Sequence, residues 1–350
     1  MRRREEVVMG LHRRRFEAGG GRVDPSRRDF LRLAAAVGIL GPAASAAASS
    51  DDAAATRPSP LPKEYLAQGL AALSDAHKRG WLLGHHGAAI LSSYYFCLEN
   101  RLDERTSRAL RKQIDAFIAS KPEEIPDGGP GRGTADPARI VERLDRQIAT
   151  LNRGGHDVIF ASLALRALRD LPEYATPQVV DGIVRLLELI AASGASPETP
   201  FNRDHPLPPY GSANDIAKTT LEATLRPWGD ALRIGASGVV HWITHADAVV
   251  TLADLGHEEL ARRGHAALRL HVNQEVTAGA RPEPERAAID WLAPAYWESD
   301  ASHRLFQNTW LAGHAFKLPY SLFRLLRRTD DAKLREACLL RASRLQIPFE

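Results

Sequence analysis

Four times along this 350-residue chain an apolar run opens at a histidine and is followed by a charged amphipathic segment. Gly84-His85-His86-Gly87 leads Ala88 to Leu98, then Asp103 to Ser120. Gly155-His156 leads Val158 to Leu168, then Thr176 to Ile190. His241 and His245 lead Val249 to Leu255, then Glu258 to His271, and Gly313-His314 leads Ala315 to Leu326, then Asp330 to Leu345. Each pair is about 33–36 residues long, the period of helical-hairpin repeats that stack as solenoids or close as rings. The expected fold class is therefore all-α: repeated helical hairpins forming an α/α solenoid or toroid. If the apolar helices make an inner layer, their N-terminal ends lie on one side and the histidines gather at one mouth. Strand signals are limited to Val158-Ile159-Phe160 and Val239-Val240, both too short to stand alone.

The histidine pair on the third apolar run is the leading site candidate. His241 and His245 are four apart, so on a helix they share one face, continued by Ala248, Val249 and Leu252. Two imidazoles on a stripe destined for burial need partners or a purpose. Such a pair can supply two nitrogen ligands to one metal ion, with further ligands from His85, His86, His156 or His314. No glutamate follows His241, so the zinc-protease arrangement is excluded. Without a metal, His241, His245 and His86 could act as acid–base groups, joined by Tyr94 or Lys317. A third possibility is a polar seam of histidines bonded to one another. His257, His265 and His271 stand among Glu258, Glu259, Arg262 and Arg263 and are expected to be solvated. The glycines at 128–133 lack the lysine and strand–helix setting of a phosphate loop.

The N-terminus carries a different kind of signal. Ser26-Arg27-Arg28-Asp29-Phe30-Leu31-Arg32 precedes a mildly apolar run, Leu33 to Leu40, and an Ala/Ser stretch with small-residue cleavage positions at Ala44-Ser45-Ala46 and Ala46-Ala47-Ala48. This pattern resembles a twin-arginine export signal. It implies recognition by the Tat export machinery, a periplasmic or secreted mature protein, and no stable membrane span after cleavage. The formal charge of +3 arises in this leader: ten of the 46 basic residues and five of the 43 acidic ones lie in residues 1–48. The remainder is slightly acidic and offers nothing for nucleic acid. Only Cys97 and Cys338 are present, on apolar faces of the first and last repeats, either as buried thiols or as a pair closing a ring.

Residues 1–48 are thus expected to be the signal peptide, 49–62 a proline-rich tether, and 63–350 a single helical domain. Within it, Lys63 to Lys78 forms a first helix, and Lys121 to Pro137 a loop. Ile140, Leu144, Ile148 and Leu151 mark a helix capped by Asp136. Gly194 to Pro209 and Arg281 to Gln307 are irregular, and Asn214 to Arg226 is helical. Pro319 interrupts the last apolar helix.

In order and rough spacing, Gly84-His-His-Gly-Ala-Ala, Thr244-His-Ala-Asp-Ala-Val and Gly313-His-Ala-Phe-Lys-Leu-Pro resemble the histidine-bearing helix starts of questin oxidase-like proteins. The resemblance implies an all-helical oxidoreductase acting on aromatic polyketide-like substrates with NADPH as cofactor, and the histidine pair adds a transition metal to the cofactors to expect. The function expected is that of an exported oxidoreductase with a histidine-lined pocket for a small organic substrate. Its metal candidates are His241, His245, His85 and His314. The alternatives are a non-catalytic helical-repeat module binding a ligand or protein, and an α/α-toroid carbohydrate hydrolase or lyase.

Overall fold

The computed structural model describes residues 61–129, 131–195, 207–226, 239–272, 288–299 and 309–345. All belong to one compact unit, Pro42–Glu350. The leader, most of the tether, and much of the irregular segments 194–209 and 281–307 lie outside the described residues. The chain is mostly α-helical, with no strand among the described residues beyond an isolated bridge between Asn152 and Ala195.

In chain order the helices are α1 (Glu64–Asp75), α2 (Gly84–Glu99), α3 (Glu104–Ala119), α4 (Ala138–Asp145), α5 (His156–Asp170) and α6 (Pro177–Ala192). They continue with α7 (Ala213–Thr224), α8 (Val239–Asp254), α9 (Glu258–Val272), α10 (Pro294–Trp297), α11 (Thr309–Leu326) and α12 (Ala332–Leu345). The helices at the four expected pairs are α2–α3, α5–α6, α8–α9 and α11–α12; α8 and α9 pack closely, but α12 packs mainly on α7 and α8, so the last pair is not a closed hairpin like the third. Their second helices start where capping chemistry permits. Asp103 accepts from the Thr106 backbone N–H at 2.7 Å, and Thr176 caps α6 with Pro177 in its first turn.

The four first helices pack in a cycle: α2 on α5, α5 on α8, α8 on α11 and α11 on α2. They are apolar nearly all round because they are surrounded, as expected of helices inside a larger core. In α8 every residue from Val240 to Leu252 is buried. The charge-bearing helices lie outside: α1 covers α2, α6 covers α1 and α5, α9 covers α8, and α7 covers α8 and α11. In α9 the buried stripe is Leu260, Ala261, Gly264, His265, Leu268 and His271, while Glu258, Glu259, Arg262 and Arg263 face outward.

Some boundaries differ from expectation. The segment from Ile140 to Leu151 is helical only to Asp145, then turns, because the chain must reverse before Gly155. Cys97 and Cys338 are both free and buried, so they close no ring. Among the described residues no helix is long and apolar enough to cross a membrane.

At the C-terminal ends of the inner helices charge is buried and paired. Glu99 at the end of α2 accepts from Arg166 of α5, and from Arg324 and Arg327 at the end of α11. Arg324 also donates to Asp247 of α8 at 2.7 Å, and Arg166 to the Tyr320 hydroxyl at 2.7 Å. Burial alone would raise the Glu99 carboxyl, but the three guanidiniums outweigh it and hold the group at about 2. One end of the cycle is thus tied by ion pairs, and the histidine-bearing end lies opposite.

Candidate functional site: a four-histidine layer

Each inner helix sends one histidine from its first turns into a common layer. His85, His156 and His241 are at most 1% exposed, and His314 is 7% exposed. Going round the cycle, His85 and His156 have ring centroids 4.7 Å apart, His156 and His241 4.9 Å, His241 and His314 4.6 Å, and His314 and His85 5.0 Å. One ring nitrogen from each of His85, His156 and His314 lies within 4.8 Å of the other two. His241 stands beside this set rather than in it, with its Nε2 2.8 Å from Nε2 of His314.

Local backbone aims two of these rings. His85 Nδ1 is 2.8 Å from the Leu82 carbonyl oxygen, and His156 Nδ1 is bonded to the Arg153 carbonyl. A carbonyl only accepts, so each Nδ1 carries the hydrogen, as assigned from its partner. The turn that sets His156 is built from left-handed residues, Arg153 at φ 47°, Gly154 at 68° and Gly155 at 79°. Asp157 anchors it, accepting from Asn152 at 2.8 Å, Gln147 at 2.9 Å and its neighbour's backbone N–H at 3.0 Å. Burial raises the Asp157 carboxyl to about 6 despite these donors.

The tautomers create an electrostatic problem at the centre. Burial, then the Lys317 ammonium and the neighbouring rings, hold the His85 imidazole well below its ordinary pKa. Burial and Lys317 do the same for His156. Both rings are neutral at pH 7, so each Nε2 is a bare lone pair, and the two are 3.0 Å apart. Two acceptors do not bond to each other; a cation shared between them removes the conflict. For metal–nitrogen bonds of about 2.0–2.1 Å, adjacent ligand nitrogens on one ion are separated by about 2.9–3.4 Å. The pairs at 3.0 and 2.8 Å are close to that spacing. An Nδ1–H held by a backbone carbonyl, with Nε2 directed inward, is also how proteins orient metal-binding histidines. The residues present therefore fit a transition metal with nitrogen ligands.

Around this layer lie aromatic and cationic groups. Phe160 stands edge-on to both His85 and His156, with centroids at 5.5 and 5.4 Å. Trp81 lies 5.1 Å from His156, with the Arg153 guanidinium 5.8 Å from its ring. Lys317, one turn after His314, is 1% exposed and its Nζ has no hydrogen-bond partner among the described residues. Burial lowers it to about 7, so near neutrality much of it is a free amine. Lys317 also borders a small cavity with room for about one water, lined by Ser92, Ser162, Thr244, Asp247 and Tyr320 among others.

The sequence candidates divide on this geometry. His85, His241 and His314 lie together in the layer, with His156 between His85 and His241. His245 does not share the layer as a fourth ligand. Its Nδ1 lies 3.3 Å from Nδ1 of His271, and the i, i+4 spacing sets it a turn deeper. Burial lowers its imidazole to about 3. His271 and His265 are 0% and 3% exposed, not solvated, because the charged residues beside them occupy the opposite face of α9. His86 is buried but points to another side of α2, its ring 5.3 Å from Phe117 and its Nδ1 3.5 Å from Glu124. Tyr94 is nine residues beyond His85 on α2, about 13 Å along the axis, beside Tyr95. His271 escaped the sequence reading altogether as a buried partner, although its i+3/i+4 relation to Leu268 and Ala267 was available. The repeat register was the signal for His156: it heads its helix as His85, His241 and His314 head theirs.

Comparison with known proteins adds no relative: no family model, no curated protein and no solved structure matches this chain.

Proposed function

We propose that the protein is a metal-dependent oxidoreductase whose centre is held by His85, His156, His241 and His314. The observation that carries the proposal is the 3.0 Å approach of two inward Nε2 lone pairs whose rings are fixed as Nδ1–H tautomers. A neutral, all-imidazole set suits iron, copper, nickel or zinc rather than magnesium or calcium. Bound there, a redox-active ion would supply one-electron and oxygen chemistry; the chain's residues bind and orient it and exclude water. Trp81 and Phe160 give the centre an aromatic surround, and Lys317 is an amine able to take or give a proton near pH 7. The resemblance of the helix starts to questin oxidase-like proteins supports the same reading. So does the cyclic packing of the four inner helices, which we interpret as an α/α toroid.

The test is elemental analysis of the full-length protein matured through its own export route. About one first-row transition metal per chain is expected, removable by chelator with little loss of helix. Protein isolated without metal that also takes up none of iron, copper, cobalt or zinc at micromolar concentration would refute the proposal.

We also propose export by the twin-arginine route to the periplasm or beyond. Replacing Arg27 and Arg28 together with Lys is expected to strand the precursor in the cytoplasm. Normal accumulation of the double variant outside would rule the route out.

A further inference from the structure

Three of the four layer histidines follow a glycine: Gly84-His85, Gly155-His156 and Gly313-His314. A backbone requirement explains one of these glycines and not the other two. Gly155 has φ of 79°, in the left-handed region, but Gly84 has ordinary helical angles and Gly313 lies inside α11. At a helical position alanine is favoured over glycine on backbone entropy. Something other than backbone conformation therefore disfavours a side chain there.

The space beside each glycine supplies the reason. A Cβ on Gly313 would fall 2.7 Å from Cβ and Cδ2 of His85. On Gly84 it would fall 2.8 Å from Cδ2 of Phe160 and closer still to Cε2. On Gly155 it would fall 2.5 Å from Nδ1 and 2.6 Å from Cγ of His245. Each glycine takes the ring of the next inner helix round the cycle: α11 receives a ring from α2, α2 from α5, and the residue before α5 from α8. The sense of rotation is the same each time. At the remaining junction Val240 precedes His241, so the α8-to-α11 junction keeps a side chain.

We infer that Gly84, Gly155 and Gly313 are positioning residues of the histidine layer: their missing side chains let each inner helix seat its neighbour's aromatic ring, and this sets how closely the Nε2 atoms converge. The inference rests on the metal reading for its purpose, but its geometric content concerns the histidine rings themselves. Gly313 acts directly on His85. Gly84 acts through Phe160, which stands edge-on to His85 and His156. Gly155 acts through His245, which lies outside the layer but one turn from His241 on α8, so the seat of its ring sets how closely α8, and His241 with it, approaches α5.

The experiment uses the full chain, carrying 15N-labelled histidine, with cobalt(II) as probe. Gly313→Ala is expected to move the His85 imidazole resonances of the metal-free protein and to weaken cobalt(II) binding by about tenfold or more, the scale of displaced supporting contacts. Gly69→Ala is the control. Its Cβ would meet Leu91 at 2.7 Å and the Gly87 carbonyl oxygen at 3.3 Å, an equal intrusion between α1 and α2 whose nearest atoms belong to no histidine. It is expected to change melting temperature without moving either readout. Should Gly313→Ala fail to fold, Gly84→Ala and its double variant with Phe160→Leu decide the matter: trimming the Phe160 ring is expected to restore resonances and affinity that Gly84→Ala loses. Wild-type His85 resonances and cobalt affinity in Gly313→Ala, equal losses in Gly69→Ala, or no restoration by Phe160→Leu would each overturn the inference. If the wild-type protein binds neither cobalt nor iron, copper or zinc, the metal reading fails, and the histidine resonances still judge the glycines.

Discussion

Replacing His85 and His156 together with alanine will lower affinity for a first-row transition metal by more than about 100-fold. Changes to groups that merely orient a metal-binding histidine already cost about 10–100-fold, and this variant removes two nitrogens outright. It also removes the 3.0 Å lone-pair contact. The metal-free double variant should therefore not lose stability in proportion to the buried groups deleted, although the space left behind carries its own cost. His86→Ala and Tyr94→Phe serve as comparisons, since His86 faces Phe117 and Glu124 and Tyr94 lies far along α2. Both should leave metal affinity unchanged. Isothermal titration of all three variants decides the assignment: unchanged affinity in the double variant, or an equal loss in His86→Ala, removes the layer as the binding centre.

The other large effect is expected at the opposite end of the inner helices. Glu99→Ala leaves Arg166, Arg324 and Arg327 without the carboxylate they share. Arg324 retains Asp247 and Asp254, whereas Arg166 loses its Glu99 carboxylate. Removing one partner from a buried charged network costs about 3–5 kcal/mol. Denaturant melts should show that loss, whereas Arg105→Ala, which breaks an exposed, solvent-screened pair with Glu298, should leave the midpoint close to wild type. The pH dependence has a definite sign. The folded Glu99 group titrates at about 2, below the 4.5 of a free glutamate. Its contribution is therefore complete above pH about 4.5 and is lost as pH falls from there toward 2. In Glu99→Gln that acid-side slope should shrink. A slope equal to wild type would show that other carboxylates govern acid unfolding.

Much of this arrangement was legible along the chain. The alternation of apolar and charged segments announced paired helices. The histidine at each apolar start announced a shared end, because parallel inner helices bring equivalent positions to one level. Register carried more information than local motif. The pair His241 and His245 drew attention as an i, i+4 motif, yet only His241 enters the layer. His156, with no such partner, enters it because it opens its helix.

The composition of each helix, its caps at Asp103 and Thr176, and the apolar character of the inner four follow from residue order and local chemistry. What only the tertiary structure decided is the rotation of each helix about its own axis. Spacing gives the relative angle between His85 and His86, or between His241 and His245, but not which member faces the centre. That choice depends on which surfaces pack most closely, and here it depends on glycines whose neighbours are remote in sequence. The same holds for His265 and His271, whose charged neighbours suggested solvent, and for Glu99, whose three arginines come from other helices. Side-chain charge and hydropathy are local quantities. Burial and proton affinity are set by what the rest of the chain brings alongside.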